Sequence, residues 1–171
     1  MDYGYPSPVK AAKELVQRYD ITSAPVDVDA ICLQEGIRII SMDMHEIEAI
    51  AKKQIAGAIQ RHPQFGYTIL VNESDIAVRQ RFTIAHELGH FFLHMDKNTQ
   101  ENKIITSFRM DSSPKERQAN TFAANLLMPE SLVRQEHGRM VIPVSDSLAE
   151  IFRVSKQAMR FRLDELELLY V

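Results

Sequence analysis

Arg81-Phe82-Thr83-Ile84-Ala85-His86-Glu87-Leu88-Gly89-His90-Phe91-Phe92-Leu93-His94 is the stretch whose reading decides the fold. Inside it lies H-E-x-x-H, as His86-Glu87-Leu88-Gly89-His90. On a helix, residues four apart stack one above the other, so His86 and His90 can offer imidazole nitrogens to one metal ion. Glu87 projects from nearly the same face, where it can take a proton from a metal-bound water without itself being a ligand. Ile84, Ala85, Leu88, Phe91 and Phe92 recur at helical spacings and supply an apolar stripe that would bury the helix and fix the two histidines. The motif alone also suits two histidines on an ordinary amphipathic helix. The apolar frame and a third ligand downstream favour zinc.

Catalytic zinc normally takes three protein ligands and leaves one position for water. His94 lies four residues after His90, but helical drift sets it about 80° from His86, a poor arrangement for three ligands on one straight helix. Glu116, near the start of the next long helix, is the better third ligand if that helix packs antiparallel against the first. Its competing role is the acidic half of a capping box with Ser113. His94 would then support a ligand, face the substrate or cap the helix end, and these alternatives stay open. Asn120, one turn beyond Glu116, either orients a ligand or sits as a satisfied polar residue at a helix contact. Arg79 and Arg81 are read as solvated by default, and His45, His62 and His137 are assigned no role.

Outward from this centre, the elements follow in order. Residues 1–7 read as a loose lead-in, and a helix opens at Pro8 and runs to Tyr19. Asp27 is the expected N-cap of a second helix ended by Gly36, and 37–40 reads as a strand. Residues 42–53 are ambiguous. Strands at 56–60 and 67–71 flank a hairpin connection with Pro63 and Gly66, and Ser74 or Asp75 should cap the central helix at 76–94. Residues 95–113 are polar and aperiodic, and read as a loop beside the site. A helix from Ser113-Pro114 buries Ala119, Phe122, Ala123, Leu126 and Leu127 and closes at Pro129. Ser131 to His137 adds one or two turns. The tail, 143–171, reads as two short helices, the first with Ser147 and Glu150 as a capping box and the second from Met159 to Leu169. Its outline is that of a helix-turn-helix, yet four basic residues stand against five acidic ones. Helical packing or partner contact is therefore expected rather than DNA binding.

The 171 residues suit a single domain, with a core at about 8–138 and the helical segment at 143–171. A hydrophobic fraction of 45%, a charged fraction of 25% and a net charge of −3 are those of an ordinary globular chain without bulk attraction to nucleic acid or anionic membrane. Neither a membrane-length apolar run nor a signal peptide is seen, and the one cysteine, Cys32, fits a core position in a reducing cytoplasm.

RFTIAHELGHFFLH (81–94) followed by KERQANTFAANLLMP (115–129) resembles the ImmA/IrrE family of zinc metallopeptidases. The resemblance takes in PVDVDAICLQEGIRII and GYTILVNES upstream, more loosely LAEIFRVSKQAMRFRL in the tail, and covers roughly residues 24–165. It implies a compact zincin-like α+β fold, a small mixed or antiparallel sheet packed on the central helix. It also implies Zn2+ held by His86, His90 and Glu116, with Glu87 as catalytic base. The implied substrate is a helix-turn-helix repressor or antitoxin of the XRE type, cleaved to release a silenced operon. Two departures matter. Gln118 stands where a second glutamate is often found, which strengthens Glu116 as the ligand, and no fused repressor-like domain is seen, so the repressor should be a separate chain. A substrate strand is expected beside 56–60 or 67–71, with His94 or Tyr67 as candidate oxyanion donors. The competing reading is a non-proteolytic zincin-fold toxin or anti-repressor that acts by binding alone.

Overall fold

The first helix begins where the sequence places its cap. The Ser7 hydroxyl accepts from the Lys10 amide, Pro8 fills the first helical position, and α1 runs over Pro8–Arg18 with Ala12 and Leu15 buried. Asp27 caps α2 (Val28–Gln34) by accepting from the Ala30 amide at 2.9 Å. The computed structural model describes residues 7–96, 103–108, 112–141 and 144–169, so the rest of the expected lead-in lies outside the described residues.

Four strands form one sheet: β1 (Ile37–Met42), β2 (Ile55–His62), β3 (Gly66–Asn72) and β4 (Lys103–Phe108), in the order β1-β3-β2-β4. β2 and β3 are the expected hairpin, pairing Gln60 with Thr68, while β1 runs parallel to β3 and β4 antiparallel to β2. The mixed α+β class is thereby met. Two expectations are corrected here. β4 lies within 95–113, read as a loop, and what surrounds it at 97–102 and 109–111 lies outside the described residues. Both 56–60 and 67–71 are paired on each side, so neither has an edge for an added strand; among the described residues the sheet's edges are β1 and β4.

The ambiguous stretch 42–53 holds α3 (His45–Ala51), none of whose residues is buried. The central helix, α4 (Ala77–His94), is buried from Thr83 to Gly89 without a break. Its N-cap is Ile76, without a side-chain bond, rather than Ser74 or Asp75. The turn is held instead by Gln80, whose amide donates to the carbonyls of Asn72, Glu73 and Asp75. Against α4 packs α5 (Pro114–Leu127), and the two close through Gly89. A Cβ there would stand 3.0 Å from the Ala119 Cα and 3.2 Å from Phe122, so any larger residue would require the α5 backbone to give way.

α6 (Glu130–Arg139), α7 (Ser145–Phe152) and α8 (Lys156–Glu165) follow. α7 starts two residues before the expected capping box, with Val144 as an N-cap lacking a side-chain bond, and Ser155 caps α8 through the Ala158 amide. The tail pair packs on the rest through Leu148, Phe152, Met159 and Leu163 in the same apolar cluster as Leu88, Phe122 and Leu126. Arg162, one of the tail's basic residues, is buried and donates from Nε to the Met128 carbonyl. Among the described residues no helix is long and apolar enough to cross a membrane.

Candidate metal centre

His86, Glu87 and His90 project from the buried middle of α4, and Glu116 enters from the first turn of α5. Ser113 keeps only half of its capping box. Its hydroxyl accepts from the Glu116 amide at 3.3 Å, while the Glu116 carboxylate turns to the histidines. Glu116 Oε2 lies 2.9 Å from His86 Nε2, Glu116 Oε1 lies 3.0 Å from His90 Nε2, and the two Nε2 atoms are 3.1 Å apart. Zinc bonds of about 2.0–2.1 Å would set neighbouring donors of a tetrahedral site about 3.3 Å apart. Two imidazole nitrogens and a carboxylate at these separations fit such an ion, and among the described residues they form the cluster able to hold a metal.

The ionisation of the three groups points the same way. Burial opposes charge on His86, but hydrogen bonding to Glu116 and the charges of Glu87 and Glu116 outweigh it and raise its pKa. For His90 burial prevails, helped by the charge of His86, and the pKa is lowered. Burial alone would raise Glu116, yet hydrogen bonds from both imidazoles hold it down to about 2. A carboxylate held deprotonated between two imidazoles is a donor set suited to a cation.

The next ring of contacts resolves the open alternatives. Asn120 Oδ1 accepts from His86 Nδ1 at 2.9 Å, which leaves the Nε2 lone pair directed at the cluster. His94 stands outside the cluster, with Nδ1 at 2.9 Å from His90 Nδ1 and Nε2 at 2.9 Å from Gln118 Oε1. With both ring nitrogens engaged, His94 has none to offer an oxyanion. The Tyr67 ring meets Phe91 edge-on, and it lies four strand residues, roughly 13 Å, from the Val71 position that pairs with Gly57 beside Glu87. Arg79 pairs with Asp75 at 3.6 Å, and Arg81 donates to the Val26 carbonyl. His62 stacks on Phe65 and His137 is buried on α6, and neither belongs to the cluster.

Two features escaped the sequence reading. Gln118 was seen only as a departure, since nothing in its spacing shows that it reaches His94. Gly57 on β2 faces Thr83 and Glu87, where a Cβ would come within 2.4 Å of Thr83 Cγ2 and 3.2 Å of Glu87 Oε1. A lone glycine inside a strand is the available signal for such a close approach.

The model of the IrrE N-terminal-like peptidase domain matches residues 32–164. The chain is 25% identical over 157 residues to the metallopeptidase ImmA of Bacillus subtilis (strain 168), covering 92% of this chain and 86% of that protein. It is 32% identical over 128 residues to the uncharacterized immunity region protein 2 of Bacillus phage phi105, covering 74% and 72%. With the H-E-x-x-H helix, the donor cluster and the mixed sheet in agreement, the chain belongs to the ImmA/IrrE family of metallopeptidases.

Proposed function

We propose that the chain is a cytoplasmic zinc endopeptidase that cleaves a separate XRE-type helix-turn-helix repressor or antitoxin and so derepresses its operon. The observation that carries the peptidase reading is Glu87, fully buried next to His86 and His90. Burying a carboxylate is costly, and a scaffold that only binds has no use for one here.

In this reading His86, His90 and Glu116 hold the ion, and Asn120 keeps the His86 ring aligned. An ion held there would supply Lewis acidity toward water and the peptide carbonyl. Glu87 would accept one proton from the water whose oxygen bonds to the carbonyl carbon and pass it to the amide nitrogen as the C–N bond breaks; the second water proton follows to the amine, leaving a carboxylate and an ammonium group. In this reading the substrate strand adds to the edge of β4, which has no partner among the described residues and lies one strand beyond the Gly57 that abuts Glu87. On the other flank of His86, a cavity of about 550 Å³ lined by Phe82, Asn120, Ala124, Met128 and Phe161 offers an apolar seat for a substrate side chain. A relative named as an immunity region protein supports a repressor as the class of substrate.

The test is co-expression with the XRE-type repressor of the same locus, wild type against Glu87→Gln, with repressor fragments sought by mass spectrometry. Fragments with wild type alone are expected. An intact repressor that co-purifies equally with both forms would sink the proteolytic reading.

A further inference from the structure

His94 and Gln118 carry no part in the reaction above, yet their geometry is directional. His90 turns Nε2 to the cluster, 3.0 Å from Glu116 Oε1 and 3.1 Å from His86 Nε2. A neutral imidazole that holds a metal through Nε2 carries its one proton on Nδ1. That proton points at His94 Nδ1, 2.9 Å away. A hydrogen bond between two ring nitrogens needs one donor and one acceptor, so His94 must accept at Nδ1. The proton of neutral His94 then sits on Nε2, which faces Gln118 Oε1 at 2.9 Å. Gln118 in turn must present its oxygen, because its NH2 group would set donor against donor.

With a metal on His90 Nε2, donation thus runs one way, from His90 to His94 to Gln118. We infer that Gln118 is a positioning residue for the metal centre: by accepting from His94 it fixes that ring's tautomer and thereby aims His90 Nε2 at the ion. The inference rests on the metal-ligand reading of His86, His90 and Glu116. The supports of the chain are separate elements. Gln118 rides on α5, two residues beyond Glu116, and Lys103 of β4 donates from Nζ to the His94 carbonyl at 3.2 Å. Only an acceptor at position 118 completes the chain, so glutamate should serve and leucine should not.

The experiment compares wild type, Gln118→Leu and Gln118→Glu by zinc competition against a colorimetric chelator and by long-range 1H–15N spectra of the histidines. In zinc-loaded wild type, His90 should show a proton on Nδ1 and His94 a proton on Nε2. Gln118→Leu should weaken zinc binding by about 10–100-fold and let the His94 15N shifts move toward tautomer averaging. Gln118→Glu should keep affinity within about threefold of wild type, the factor that separates rescue from the loss in Gln118→Leu. A His94 Nδ1–H tautomer in wild type overturns the inference. So does a Gln118→Leu variant with unchanged affinity and unchanged His94 shifts, while leaving the metal site standing. Absence of zinc binding by wild type overturns the inference together with the metal reading.

Discussion

Replacing Gly57 by alanine perturbs the catalytic region without touching a proposed ligand. The added methyl would stand 2.4 Å from Thr83 Cγ2, 3.0 Å from the Leu70 carbonyl oxygen and 3.2 Å from Glu87 Oε1. Strand β2 is paired on both sides, so it cannot lift away from α4 without straining two ladders. Overpacking of this kind costs about 1–3 kcal/mol. At about 2–4 °C per kcal/mol for a chain of this size, a cost near 2 kcal/mol lowers the melting temperature by about 4–8 °C. Displacement of the Glu87 carboxylate should cut kcat/KM at least about tenfold, equal to about 1.4 kcal/mol of lost transition-state stabilisation. The worst contact is a single methyl, so Thr83→Ser should remove it. In a double-mutant cycle followed by calorimetry, the pair should recover roughly 1 kcal/mol relative to the sum of the single variants. A Gly57→Ala protein that melts within a degree of wild type and keeps full activity would refute the packing argument.

Three further outcomes are expected. Glu116 is held at about 2 when folded against an ordinary value of 4.5, so its contribution to metal-free stability is present above about pH 4.5 and lost as pH falls toward 2. Acid titration of Glu116→Gln, followed by circular dichroism, should lack that component. The Cys32 thiol is buried and pushed up to about 12 by burial first and then by Asp29 and Glu35. A disulfide reagent at pH 8 should label it only after denaturant is added, and rapid native labelling would contradict the core placement. Ser113→Ala removes the α5 cap one residue after Ser112 and three before Glu116, and should cost about 1 kcal/mol with a measurable loss of zinc affinity.

What was legible in the sequence was whatever a local period or cap encodes. His86 and His90 could be placed because four residues make one helical turn, and Glu116 because Ser113-Pro114 starts a helix in a readable phase. β4 escaped because an edge strand is defined by a partner some forty residues away in β2, and its Ile104 is exposed rather than alternating with a buried face. α3 was ambiguous because none of its residues is buried, so its isoleucines mark no face. The start of α4 is legible to within a residue but its cap is not, because Gln80, inside the helix, closes the preceding turn in place of a capping side chain. The His94–Gln118 contact depends on the distance between two helices, which no spacing along one chain specifies.

The closure of α4 on α5 at Gly89 has a thermodynamic consequence. Two donors of the proposed centre travel with one helix and the third with the other, so an unfolded or loosened chain offers no preformed triad. Metal affinity and helix docking are then two sides of one equilibrium: at a free metal concentration of a hundred times Kd, the ion adds about 2.7 kcal/mol to the docked state. A side chain larger than hydrogen at position 89 would press on α5 at Ala119, lowering metal occupancy while leaving all three donors in the sequence. The ion's occupancy thereby becomes a gauge of how much of this protein stands assembled.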